Sequence, residues 1–389
     1  RPRPDPCSRT ETMKIQLLSD LHLEADPGFT ATPAPDADLL VLAGDVGSYQ
    51  RRKDGSVMPE ADWGLQRFSP LPQHAGWPVP VLFVPGNHEY DALDIDDAHA
   101  GLRAACDRLG IRWLERETAI IDGVRFVGTT LWSDYDTFAA PAAPLTERLR
   151  QRHKAFRAAN FYLTKMAGQR GGALFDAAAM RELALDCQAW LREALSQPHA
   201  DGPTVVVTHF APTLHSADPR YGHSPGTAGF CNALDDLLPL ADLWLHGHLH
   251  CRHDYTVPRP GRAPTRVVSQ AMGLVRKGEA EGFLVYSRQM QPGGDGVYLV
   301  RQSEVDASGR VVQEYLGLQA PQSGDLQTLS FTQVDGESSR AQVYSGDTLA
   351  GEALVSLPDP GVDLQPPRAL IVCPGLLAEP CAEHRERPC

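Results

Sequence analysis

A chain of 389 residues, 42% of them hydrophobic and 22% charged, is long enough for a full core and ordinary in composition, which excludes a disordered or fibrous protein. Its 36 Lys+Arg stand against 49 Asp+Glu, and the resulting charge of -13 argues against a general nucleic-acid binder, because phosphate backbones are held by clustered cations. No apolar run is long enough to span a bilayer, and the eight Cys include no CxxC pair, so the expectation is a cytoplasmic protein with reduced thiols and no membrane partner.

In chain order, Arg1 to Thr12 is rich in Pro and Arg and is expected to be a disordered extension, with the ordered protein opening at Met13. Short apolar runs then read as buried strands at Lys14–Ser19, Asp38–Ala43, Val79–Val84, Val124–Thr129, Thr204–Thr208, Asp242–His246 and Arg266–Ser269. Between them, Asp97–Leu109, Leu145–Met166 and Phe175–Leu195 have helical spacing of apolar residues. The alternation predicts an α/β domain over residues 13–301. From 302 to 389 the chain has no Lys and much Gly, Ser, Gln and Pro, which predicts a low-order tail or a small β extension.

The residues able to do chemistry sit where the strand runs end. They are Asp20-Leu21-His22, Gly44-Asp45, Gly86-Asn87-His88-Glu89, His209, and Gly247-His248-Leu249-His250. Beyond the carboxyl ends of strands an α/β sheet leaves a crevice, so five such segments can meet in one place. Asp20, His22, Asp45, Asn87, His209, His248 and His250 offer carboxylate, imidazole and amide donors, a mixture suited to Mn, Fe or Zn. They are too many for one ion and right for two that share a carboxylate. Gly44, Gly86 and Gly247 each precede a donor, where a missing side chain allows tight turns.

This pattern resembles the calcineurin-like metallophosphoesterases, whose blocks run DxH, GD, GNH(E/D), a lone H and GHxH in that order. Thr129-Thr130-Leu131-Trp132 also looks like small bacterial members of the family. The resemblance implies a four-layer α/β/β/α sandwich of two mixed sheets. It implies Asp20, His22 and His250 on a first divalent metal, Asn87, His209 and His248 on a second, and Asp45 bridging both. The implied activity is hydrolysis of phosphate mono- or diesters, a hydroxide bridging the metals attacking phosphorus in line, with His88 as general acid. The implied substrate is a phosphorylated small molecule, a nucleotide or a phosphoprotein.

Two departures from the family pattern stand out. Phe210 follows His209 where many relatives have a second His, and Ser269-Gln270-Ala271-Met272-Gly273 replaces an Asn-containing turn. Glu89 is expected either to orient His88 or to cap a helix opening at Tyr90. The basic stretch from Arg148 to Arg157 reads as a solvated helix face, and Trp63, Trp77, Trp113 and Trp244 as core or cleft-wall anchors. A non-catalytic scaffold of the same fold and a metal-dependent nuclease are the competing functions. The full donor set argues against the first, and the acidic charge against the second.

Overall fold

Strands that are apolar at every position must be covered on both faces, and this requirement organises the molecule. The computed structural model describes residues 13–280, except 35–36, 53–54, 140–141 and 201, together with strand segments between 289 and 356. The expected extension at residues 1–12 lies outside the described residues. The chain divides into two units, Arg1–Phe283 and Leu284–Cys389.

In the first unit, β1 (Ile15–Leu18), β2 (Leu39–Ala43), β3 (Val81–Val84) and β4 (Arg112–Trp113) form a sheet that is parallel throughout. A second, mixed sheet has the order β11-β12-β10-β9-β6-β5. Its strands are β5 (Glu117–Ile121), β6 (Val124–Thr129), β9 (Thr204–Thr208), β10 (Leu243–His246), β11 (His253–Arg259) and β12 (Arg262–Ser269). Only its edge strands β5 and β11 pair antiparallel; β6, β9, β10 and β12 run parallel. One sheet is therefore parallel and the other mixed, where the sequence predicted two mixed sheets.

Side chains alternate across these strands, and the alternation builds four layers. Leu39, Val41 and Ala43 of β2 join Leu82 and Val84 of β3 in a core shared with Phe126, Val205, Val207 and Leu245 of the second sheet. Their neighbours Leu40, Leu42, Phe83, Val127, Val206 and Trp244 belong to a different core, which also contains helix residues. The helices are α1 (Ile95–Leu109), α2 (Leu145–Met166) and α3 (Ala177–Ser196). Leu102, Ala105 and Leu109 of α1 and Ala184, Cys187 and Leu191 of α3 enter that outer core. Asp94 caps α1 by accepting from the Asp96 amide, and Asp176 caps α3 by accepting from the Ala178 and Ala179 amides. α2 buries only Ala155 completely. A short hairpin, β7 (Gln169–Arg170) with β8 (Ala173–Leu174), joins α2 to α3.

Among the described residues the second unit contains six strands, β13 (Gln289–Pro292), β14 (Tyr298–Val305), β15 (Val311–Gln319), β16 (Leu326–Gln333), β17 (Ser338–Ser345) and β18 (Thr348–Ser356). They pair antiparallel in chain order. β14 runs through the boundary expected at residue 301, and the division falls instead after Phe283. The sequence concealed this because alternating strands have no continuous apolar run to mark their start.

Candidate metal centre

The parallel strands β1, β2, β3, β9 and β10 all deliver their carboxyl ends to one place. Backbone bonds tie the loops that follow them. Asp20 N donates to Gly44 O and His22 N to Asp45 O, both at 3.0 Å. Met272 N donates to Ser19 O and Gly273 N to Asp20 O, also at 3.0 Å, so the segment after β12 closes the second sheet onto the first. Gly86 is required here, because a Cβ on it would stand 2.2 Å from Asp45 Oδ1. Gly44, at φ +87°, would place a Cβ 2.4 Å from His209 Nδ1.

Five proposed donors have left-handed backbones: Asp20 (φ 56°), His22 (47°), Asp45 (54°), His248 (74°) and His250 (50°). Such a conformation costs about 1–3 kcal/mol per non-glycine residue and persists only where the surroundings over-determine it.

Two overlapping clusters result. Asp20, His22, Asp45 and His250 have donor atoms within 4.8 Å of one another, as do Asp45, His209 and His248. Asp45 belongs to both and is wholly buried. Its Oδ2 lies 3.2 Å from His209 Nε2 and 3.9 Å from His22 Nε2 and from His88 Nε2. Burial alone would raise the Asp45 pKa, but the charges of His209 and His88 hold it well below 3.8. Asn87 starts the short 3-10 turn His88–Tyr90. Asp45 Oδ2, Asn87 Oδ1 and His209 Nε2 are buried without a hydrogen-bond partner. Unpaired buried polar atoms are costly, and Asp45 Oδ2 and His209 Nε2, 3.2 Å apart, fit a cation beside them.

The imidazoles are held from behind. His209 Nδ1 donates to Ala43 O at 2.7 Å, and His248 Nε2 to Gly229 O at 3.3 Å. His22 Nδ1 meets Glu24 Oε1 at 3.0 Å, and His250 Nδ1 meets Glu279 Oε2 at 2.7 Å. Phe210 packs its ring 3.9 Å from that of His248, with Phe230 stacked on the same imidazole at 4.7 Å. The aromatic residue that replaces a second His therefore immobilises His248.

His88 donates its backbone N–H to Asp45 Oδ1 at 2.8 Å, and its Nδ1 lies 2.5 Å from Asp91 Oδ2. Burial would lower the His88 pKa, but the Asp91 and Asp45 carboxylates outweigh it and raise it well above 6.5. Glu89 plays neither role expected of it. Its buried carboxylate accepts backbone N–H groups from Val46 at 2.6 Å, Gly86 at 2.7 Å and Asp45 at 3.1 Å, and so fastens the β2 and β3 loops together. Burial, then Asp45, raises its pKa to about 7. The helix after this turn opens at Ile95, not at Tyr90.

The sequence reading missed Glu24, Asp91 and Glu279. Glu24 continues the period of two set by Asp20 and His22, and Asp91 lies one turn beyond His88, so both left a local signal. Glu279, 29 residues from His250, left none. The four Trp read as anchors are buried, Trp244 completely. No helix among the described residues is long and apolar enough to cross a membrane.

The family model for calcineurin-like phosphoesterases matches residues 13–252, more than half of the chain. No curated protein matches. Among solved structures, the phosphopantetheinyl hydrolase of Mycobacterium tuberculosis aligns with a TM-score of 0.50 at 20% identity, over 69% of this chain and 92% of that one. At that identity the likeness concerns the fold.

Proposed function

This chain belongs to the calcineurin-like phosphoesterase family, and on that premise we propose that it is a dinuclear metal-dependent hydrolase of phosphate mono- or diesters. The observation that carries the reading is that Asp45 Oδ2, buried and unpaired, lies 3.2 Å from the unpaired His209 Nε2 and 3.9 Å from His22 Nε2, which in turn faces His250 Nε2 at 3.0 Å; Asn87 Oδ1 is likewise buried and unpaired. A scaffold has no physical reason to maintain such a cost.

Asp20, His22, His250 and Asp45 would hold one divalent ion, and Asn87, His209, His248 and Asp45 the other. When bound, such a pair supplies Lewis acidity, a water of lowered pKa and neutralisation of phosphoryl charge. The chain's own groups do the rest. Ala43 O and Gly229 O fix the tautomers of His209 and His248. Asp91 holds His88 through Nδ1, which leaves Nε2 as the atom that keeps a proton for the leaving oxygen. The His88 side chain remains 24% accessible, so the ring is not sealed from a substrate. Substrate identity is not carried by the likeness to the phosphopantetheinyl hydrolase, and we name only the class, a phosphorylated small molecule, nucleotide or phosphoprotein.

The test is hydrolysis of p-nitrophenyl phosphate and bis-p-nitrophenyl phosphate by metal-stripped protein refilled with Mn²⁺, beside His88→Ala. Mn-dependent turnover that falls at least about 100-fold in the variant supports the reading, and the diester-to-monoester ratio defines the ester class. No turnover and no bound metal would favour a scaffold and overturn it.

A further inference from the structure

The two halves of the centre share Asp45 yet differ in what stands behind their imidazoles. On one side, His22 Nδ1 meets a carboxylate, Glu24, at 3.0 Å, and His250 Nδ1 meets another, Glu279, at 2.7 Å. Both remaining lone pairs therefore point inward, and the two Nε2 atoms face each other at 3.0 Å, with Asp20 Oδ1 3.6 Å from His250 Nε2. On the other side, His209 and His248 rest on the neutral carbonyls of Ala43 and Gly229, at 2.7 Å and 3.3 Å, and the further donor is the amide of Asn87.

A carboxylate behind a ligating imidazole raises its basicity and adds negative charge one ring away, whereas a carbonyl mainly fixes tautomer and orientation. The first position has Asp20, Asp45, Glu24 and Glu279 about it, two of them behind its imidazole rings. The second has no carboxylate behind either imidazole ring, since Asp20 reaches His248, and Glu89 reaches Asp45, only at the backbone N–H. Both Glu side chains are largely buried, Glu24 at 14% accessible and Glu279 at 4%, so solvent screens their charge only in part. The exposed Lys277 ammonium lies 3.7 Å from Glu279 Oε1, the oxygen that does not meet His250. Leu274 N also donates to Glu279 Oε2 at 2.9 Å, which fixes that carboxylate in place.

We infer that Glu24 and Glu279 are positioning residues that make the two metal positions unequal. The position bounded by Asp20, His22, His250 and Asp45 fills first and holds its ion more tightly; the position bounded by Asn87, His209, His248 and Asp45 fills last and empties first. This rests on the dinuclear reading above, and the experiment separates the two.

Metal-stripped full-length protein is titrated with Mn²⁺, with bound and free ion followed by calorimetry and by the electron paramagnetic resonance of free Mn²⁺. The expected result is two steps whose Kd values differ by about ten-fold or more. Glu24→Gln and Glu279→Gln, made singly, each weaken the tight step about 10–100-fold and leave the weak one unchanged. Asn87→Ala removes the weak step alone. Each Gln variant tests the claim independently, so a misfolded one leaves the other decisive. Two equal steps in the wild type, or Gln variants that act on the weak step or on neither, overturn the inference and leave the dinuclear reading standing. Uptake of a single ion by the wild type overturns both.

Discussion

The strand-end loops and the outer helix α2 are both rich in ionisable side chains, and they treat them in opposite ways. At the strand ends Asp20, Asp45 and His209 are fully buried, Asp20 and Asp45 on left-handed backbone, and Asp45 Oδ2 and His209 Nε2 are left unpaired. On α2, Arg150 is 58% exposed and answered by Glu147 one turn away, and Lys165 lies 3.8 Å over the ring of Phe161. Solvated charges of that kind contribute little and cost little. Buried ones cost several kcal/mol unless something compensates, so their concentration marks where the chemistry is.

Substitutions can break this contrast, and their effects should fall off from the loops to the helix. Asp45→Asn should have the largest effect, reducing Mn-dependent hydrolysis by more than about 100-fold, beyond what loss of a supporting partner produces; a mild effect in steady-state assays would mean that Asp45 does not serve both positions. Next comes Glu89→Gln. Replacing one acceptor oxygen with an amide that faces backbone N–H groups leaves at least one buried donor unpaired, at about 1–3 kcal/mol, and should lower the melting temperature by roughly 3–10 °C.

Asp136 lies between the two regimes. It accepts from Arg152 of α2 and from Arg181 of α3, at 2.6–2.7 Å. Burial pushes its pKa up, but these two guanidinium partners outweigh it and hold the carboxyl below 3.8. The folded pKa is thus below the unfolded one. The stabilisation is complete above the unfolded value near 3.9 and disappears as pH falls through the folded one. Asp136→Asn should cost about 1–3 kcal/mol at pH 6, and the difference from wild type should shrink in denaturation curves taken near pH 3. If the gap is the same at both values, the pairing contributes nothing as an ion pair. Arg150→Ala should change stability by less than about 0.5 kcal/mol, and a larger loss would show that the α2 surface is more than a solvated face.

Much of the fold was legible because it depends on local spacing. The apolar runs of β2, β3, β6, β9 and β10 and the period of α1, α2 and α3 placed these elements within about two residues of where they lie. β5 and β11 went unread, since edge strands with one exposed face, such as His-Asp-Tyr-Thr-Val-Pro-Arg, have no continuous apolar run. The expectation of a low-order tail or a small β extension from residue 302 left the individual strands between Gln289 and Ser356 undrawn. At the centre, the donors were legible because each lies within four residues past a strand end. Their supports were not, because hydrogen-bond partners are chosen by tertiary proximity: Ala43 lies 166 residues from His209, and Gly229 reaches His248 from a separate loop.

By itself, then, the sequence determined the donor atoms, since side-chain chemistry and strand-end spacing are local properties. It also determined an α/β domain whose uniformly apolar strands must be covered on both faces, while the four-layer order was implied only by the family resemblance. Only the tertiary structure decided which imidazoles rest on carboxylates and which on carbonyls, that Glu89 fastens two loops, and that Asp91 holds His88. Those outcomes depend on distances between chain segments far apart in sequence, which no local pattern encodes.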